Sequence, residues 1–400
     1  MTMQTNIDDS TAGEEEARIS TRVVMQQPSL AKYRVPVFRE LAGRDGIDFE
    51  LLYGDLDGIP NVAAEGFRSE LVPLGQYRVL GTELLWHTAQ GSAVSRKRAD
   101  VAILVWNVRY LSLVPALLKA KFSGVKTILW GHAYSKQESP VRKFIRQRVA
   151  QLADALLFYN QQAATQFRSE GWPEERMFVA LNSLDQAPII KAKAHWAAQP
   201  EQLEEFRLQH GLAEGPVLLY VSRFDPANRA DLLIAATAQL QKEFPSLRVV
   251  LIGKENEERR RLEELVRQAG LEQHVQFPGA IYDEQLVAPW FLSADAFCYP
   301  ANIGLSLLHA MGYGLPVVTG DDIASHNPEI EALQDGVNGL LFQHGSVDSL
   351  TDSLSRIFSE PELRHSMSIN AEKTIAEKFN LETMVDGMAA AVRYCRSLAD

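Results

Sequence analysis

Short apolar runs alternate along this chain with stretches of helical spacing, and few folds accommodate that alternation. In the first half the runs are 22–25, 49–53, 101–106, 127–130, 155–159 and 178–181, with 3.6-residue periodicity at 35–41 and 111–121. A second series follows at 217–222, 248–252, 275–277, 296–299, 316–319 and 339–342. Runs this short, separated by helices, predict parallel strands covered on both faces. Residues 186–207 lose the rhythm and are rich in Ala, Lys, Gln and Glu, as expected for a linker with a lead-in helix. The expected fold class is α/β, with two Rossmann-like doubly wound domains facing a central cleft. The expected boundaries are a disordered acidic tail over 1–21, domains over 22–185 and 208–380, the linker between them, and a helix over 381–400 packing back toward the first domain. Ligands of such sheets bind beyond the carboxyl ends of the strands, so the cleft is the expected site.

Composition excludes several function classes. Four hundred residues, 46% of them hydrophobic and 23% charged, suffice for two separate cores. A net charge of −11 argues against a general nucleic-acid binder, which needs a basic face. The two cysteines, Cys298 and Cys395, rule out a disulfide scaffold and fit a reducing compartment. No apolar run approaches the roughly 18 residues of a membrane span, and the N-terminus lacks the order of a signal peptide. A cytoplasmic protein is expected.

The most informative motif runs from Tyr299 through Pro300, Ala301, Asn302, Ile303 and Gly304 into a small-residue helix, with a further strand starting near Pro316. Such a turn leaves N–H groups unpaired at the positive end of a helix, which suits a pyrophosphate. Many α/β proteins carry the same pattern for packing alone.

With its neighbours, this motif resembles glycosyltransferase family 4, a retaining, metal-independent group of GT-B fold also called glycosyl transferases group 1. Val221-Ser222-Arg223-Phe224-Asp225-Pro226 is similar to the segment that brings the family's donor-phosphate arginine into the cleft. Val250-Leu251-Ile252-Gly253, Phe277-Pro278-Gly279-Ala280-Ile281-Tyr282-Asp283-Glu284, Ser293-Ala294-Asp295, Pro328-Glu329 and Asp335-Gly336-Val337-Asn338-Gly339 follow in the family's order. Tyr33-Arg34-Val35-Pro36-Val37-Phe38, Trp130-Gly131-His132 and Asn182-Ser183-Leu184-Asp185 resemble first-domain segments more loosely. The resemblance covers about residues 22 to 395, most strongly in the second half. It implies a nucleotide-sugar donor, a glycan or lipid-linked acceptor, no cofactor and no metal ligands. It also implies an acceptor-side first domain and a donor-binding second domain.

By resemblance, Arg223, Arg229 and His132 are the expected catalytic residues. Gly253, Lys254, Ala280, Ile281, Asn302, Ile303, Gly304, Leu305 and His309 are the expected donor contacts, with the amides of Ile303 to Leu305 on phosphate. Tyr33, Arg34, Asn107 and Arg109 are the expected acceptor contacts, because aromatic and polar groups at strand ends suit a sugar. Each has a duller reading: Arg223 neutralising Asp225 or Asp231, His309 a core histidine, Lys254 on a solvated helix face, His132 a loop residue.

The sequence also departs from the family. Two glutamates usually flank the phosphate turn, eight positions apart; here Ala301 and His309 stand in those places, and Arg229 lies where a lysine is usual. Imidazole still offers a donor and an acceptor to a ribose hydroxyl. A nucleotide-sugar epimerase or hydrolase of the same fold, and a non-catalytic sugar-binding subunit, remain as alternatives.

One local surface is basic. Ser139 is the expected N-cap and Pro140 the first residue of a helix reaching Leu152. Val141, Phe144, Ile145, Val149 and Leu152 share one face of it, and Arg142, Lys143 and Arg146 another, with Lys136 nearby. Peripheral membrane contact through 139–152 is one expectation, and packing on its own sheet the other.

Overall fold

The computed structural model describes residues 20–79, 81–133 and 139–398. The acidic tail up to residue 19 and Lys136 lie outside them, and Thr21 already belongs to the first strand. The first domain contains β1 (Thr21–Gln27), β2 (Ile47–Tyr53), β3 (Arg68–Leu71), β4 (Leu74–Val79), β5 (Thr82–His87), β6 (Val101–Val105), β7 (Lys126–Gly131), β8 (Ala155–Phe158) and β9 (Met177–Val179). Seven of these pair in parallel in the order β3-β2-β1-β6-β7-β8-β9, while β4 and β5 form a separate antiparallel hairpin. The helices are α1 (Val35–Ala42), α2 (Thr88–Ala93), α3 (Leu113–Ser123), α4 (Pro140–Ala150) and α5 (Gln161–Ser169).

The second domain contains α6 (Ala187–Ala197), α7 (Pro200–Gln209), α8 (Ala230–Leu240), α9 (Glu257–Gln268), α10 (Glu284–Leu292), α11 (Leu305–Gly312), α12 (Val347–Ser359) and α13 (Pro361–Glu377). They surround a parallel sheet of β10 (Val217–Val221), β11 (Arg248–Ile252), β12 (Val275–Gly279), β13 (Ala296–Cys298), β14 (Val317–Gly320) and β15 (Gly339–Phe342), ordered β12-β11-β10-β13-β14-β15. A last helix, α14 (Leu381–Ser397), returns to the first domain.

Cores follow from these layers. One face of the first sheet packs on α2 to α5 around Leu104, Leu117, Leu129 and Phe158. The other packs on α1 and α14, with Phe38, Ile103, Met384, Met388 and Val392 buried together. The second sheet has a single large core that includes Tyr220, Leu251, Phe297 and Phe342.

Three segments show detail the sequence did not. Residues 186–207, expected as a linker with a lead-in helix, hold two helices: Pro188 and Pro200 stand in the first turns of α6 and α7, and Ile189 and Ala192 are buried in the second core. Strand β3 gave no apolar signal because all four of its residues are exposed. Ion pairs tie it in, Arg68 to Asp48 and Arg98 to both Glu50 and Glu70. Helix α4 starts at the expected Ser139 cap, but only its last turn packs, through Val149 and Ala150. Val141, Phe144 and Ile145 stand in solvent, and Arg146 is the buried cation.

Candidate active site

In both sheets the strand order reverses beside the first strand, between β1 and β6 and between β10 and β13. Loops leaving the carboxyl ends of such a strand pair diverge to opposite faces and leave a crevice. A cavity lies at each point.

The second-domain cavity, of about 420 Å³, is lined by the loop after β10 (Ser222, Arg223, Asp225) and the turn after β13 (Tyr299, Asn302, Gly304). Side chains stitch the two loops together. Ser222 Oγ and Tyr299 Oη lie 2.9 Å apart; buried Asn228 donates to the Arg223 carbonyl at 2.9 Å and accepts from Asn302 Nδ2 at 3.2 Å. Asn302 is left-handed at φ 61°, one of three non-glycine residues with positive φ among those described. The others are Ala133, which follows His132, and Arg229.

Arg223 reaches this cavity and its guanidinium meets no carboxylate among the described residues. Asp225 instead accepts from Ala227 N at 2.9 Å, and Asp231 holds Arg229 through Nε at 3.0 Å and Nη2 at 3.1 Å. Arg229 is thus spent on its own helix start and does not line the cavity. Leu305 and Ser306 open α11, so their N–H groups lack intrahelical acceptors. The expected Ile303 amide is not available: it donates to His326 Nδ1 at 3.1 Å. Gly253 serves packing, since a Cβ there would strike the Ser222 carbonyl oxygen and stand 2.7 Å from the Phe224 ring. Lys254 and Ala280 are exposed outside the cavity, and Ile281 lines a separate depression beside Phe277 and Trp290.

His309 lines the cavity, and its Nε2 lies 2.8 Å from Glu284 Oε1. Tyr313 donates to the same oxygen at 2.5 Å, and Phe291 stacks on Tyr313 with centroids 4.6 Å apart. A carboxylate therefore stands behind the imidazole that replaces the family's glutamate. Burial pushes the Glu284 carboxyl up, but the hydrogen bond and charge of His309, the Tyr313 hydroxyl and Lys32 outweigh it and leave the group below the usual range. Glu284 was not singled out in the sequence because contact between α10 and α11 leaves no trace in residue spacing.

This pair decides what His309→Glu should do. A second carboxylate beside Glu284 at hydrogen-bond distance meets like charge, so one of the two must take up a proton. The variant should lose about 2 kcal/mol at neutral pH, and adding Glu284→Gln should recover most of it. Melting temperatures of the single and double variants check this; a single variant as stable as the parent would contradict it.

The first-domain cavity, of about 380 Å³, gathers Tyr33, Arg34, Asn107, Arg109 and His132, with Arg142 and Arg146 from α4. His132 follows β7 with its ring 4.5 Å from that of Tyr159. Arg34 is buried, its guanidinium 4.9 Å from the Trp130 ring and 5.3 Å from that of Tyr159. It donates to Asn182 Oδ1 at 2.9 Å, and Asn182 donates in turn to Glu329 of the second domain. Burial raises the Tyr159 hydroxyl to about 12. Arg109 stands 3.7 Å from Glu83. Glu331 joins the domains again, accepting from the Gln161 and Gln162 amides at 2.7 and 3.1 Å, at the start of α5. No group of three or more His, Cys, Asp or Glu able to hold a metal ion occurs among the described residues.

Residues 203–374 match the model of a family described as glycosyl transferases group 1. The chain is 24% identical over 249 residues to a GDP-mannose-dependent alpha-(1-6)-phosphatidylinositol monomannoside mannosyltransferase of Mycolicibacterium smegmatis, covering 60% of this chain and 62% of that protein. It is 24% identical over 299 residues to the alpha-D-kanosaminyltransferase of Streptomyces kanamyceticus, covering 73% and 70%. Among solved structures, HepE of Anabaena in complex with UDP superposes with a TM-score of 0.70 at 18% identity, covering 93% of this chain and 99% of that one.

Proposed function

We propose that this chain, whose residues 203–374 match the glycosyl transferases group 1 model, transfers a sugar from a nucleotide-sugar to a glycan or lipid-linked acceptor, with retention of configuration and without a metal ion. What supports the reading is the Arg223 guanidinium, without a carboxylate partner, in the same cavity as the first turn of α11. A cation beside unpaired amides compensates charge developing on a departing diphosphate. Arg223 with the Leu305 and Ser306 amides takes that role, and Arg229 does not. As the sugar's anomeric carbon leaves its phosphate oxygen, the acceptor hydroxyl attacks from the same face and its proton passes to that oxygen. His132, Asn107 and Tyr33 hold the acceptor and the transferred sugar on the opposite wall. Reports of UDP in HepE and of GDP-mannose in the mycobacterial relative bear on the donor class and leave the base open.

Nucleoside diphosphates should therefore stabilise the protein in the presence of EDTA. At one hundred times its dissociation constant, the matching diphosphate adds about 2.7 kcal/mol. Thermal melts with UDP, GDP, ADP and dTDP test this, followed by hydrolysis of the corresponding nucleotide-sugars. No shift with any of the four, or a shift only with added divalent cation, would sink the reading.

A further inference from the structure

The first-domain cavity holds a buried cation and buried N–H groups that its own fold leaves without acceptors. Arg34, 7% exposed, gives one N–H to Asn182 Oδ1 at 2.9 Å, and its guanidinium meets no carboxylate among the described residues. Glu329 lies beyond Asn182 and touches the amide, not the guanidinium. A guanidinium carries five N–H donors, and a buried one without a counter-charge is costly. Gln27, the last residue of β1 and 6% exposed, lines the same cavity, and its Nε2 is buried without a hydrogen-bond partner. The indole Nε1 atoms of Trp106 and Trp130, two more lining residues, are unpaired as well. Native folds leave few such groups orphaned, and each one asks for an explanation.

The missing partner is an acceptor of hydrogen bonds, and charge identifies it. No Asp or Glu lines this cavity among the described residues, whereas Arg109 and Arg142 stand in its wall with Arg34. The donor-side cavity, by contrast, has Arg223 and Asp225 together. Each hydroxyl of a neutral sugar must give a hydrogen as well as take one. Asn107 Oδ1, which could receive it, already accepts from Arg109 N at 3.0 Å. A carboxylate or a phosphate dianion only accepts, and a guanidinium fork fits either through two parallel bonds. We propose that the acceptor carries an anionic group, phosphate or carboxylate, which Arg34 and the Gln27 amide bind in the first-domain cavity. The cavity, of about 380 Å³, holds one sugar residue with such a group. The inference rests on the reading of this cavity as the acceptor side, and it narrows the acceptor to a charged one.

Titration calorimetry of the full chain with glucose 6-phosphate, glucuronate and glucose tests it, since the three share a ring and differ in charge. At least one of the two anions is expected to bind tenfold or more tighter than glucose, the tighter one identifying the group, and to weaken as salt rises. Binding should survive Arg223→Ala, which places it outside the donor-side cavity, and fall at least tenfold in Arg34→Met and in Gln27→Met. The Gln27 variant also removes an orphaned buried amide, so it should melt no lower than the parent, and it keeps the test decisive if Arg34→Met fails to fold. A purely structural amide would show the reverse, a lower melting temperature with unchanged binding. That result would overturn the proposal, as would anions bound no better than glucose, or binding lost in Arg223→Ala and kept in Gln27→Met. No nucleotide is present in these titrations, so their outcome is separate from that of the diphosphate melts. Failed melts with intact anion binding would sink the transferase reading and leave the anion site standing.

Discussion

Arg223→Ala is expected to lower turnover about a hundredfold or more while leaving the melting temperature close to the parent's. The side chain is exposed at the mouth of its cavity and holds no ion pair among the described residues, so folding loses little by its removal. Catalysis loses the cation nearest the leaving diphosphate. Removing one preorganised donor from developing negative charge costs about 3 kcal/mol in the barrier. Asp231 holds Arg229, which therefore cannot substitute. Steady-state rates with an identified donor, beside thermal melts, settle it. A variant that turns over normally, or that fails by melting early, would make Arg223 a surface residue with no part in the chemistry.

The largest effect on stability is expected from Gly387→Ala. Here α14 crosses the carboxyl end of β9 so closely that a Cβ would strike the Val179 carbonyl oxygen and stand 2.8 Å from the carbonyl carbon. Both sides of that contact are backbone, so no rotamer relieves it and the helix must lift. Met384, Val385, Met388 and Val392 would then lose contact with Ile103 and Leu157. Overpacking of this kind costs about 1–3 kcal/mol, and the upper end is expected here. For a domain of this size that corresponds to a drop of roughly 6–12 °C. An unchanged melting temperature would mean that α14 adjusts freely and contributes little to the first domain.

The parallel sheets were legible because β10, β11 and β13 are apolar on both sides, and few other elements write Val-Leu-Leu-Tyr-Val in so few residues. The Gly turn before α11 was legible from its position after a buried strand. Elements held by charge rather than burial were not. Strand β3 reads Arg-Ser-Glu-Leu and has no apolar period, and the α6–α7 segment hides two core residues among lysines and glutamines. At the site, residue type was readable but partnership was not. Spacing cannot say that Asp231 claims Arg229, that His326 takes the Ile303 amide, or that Glu284 stands behind His309. The last two contacts join segments more than twenty residues apart, and the first depends on the left-handed turn at Arg229. In α4 the apolar face was visible in the sequence, but its direction depends on where the helix sits against the sheet, which only the fold decides.

The return of α14 has a consequence for the order in which the protein is built. The second face of the first sheet, covered early only by α1, stays half bare until Met384, Met388, Ala391 and Cys395 have been synthesised, after the whole of the second domain. Domains made first ordinarily fold first on the ribosome. In this chain the second domain can complete its core while Ile103, Ile128 and Leu157 still await their cover. The nascent first domain thus emerges as a half-closed sandwich, and its final closure also joins the domains on either side of the cleft.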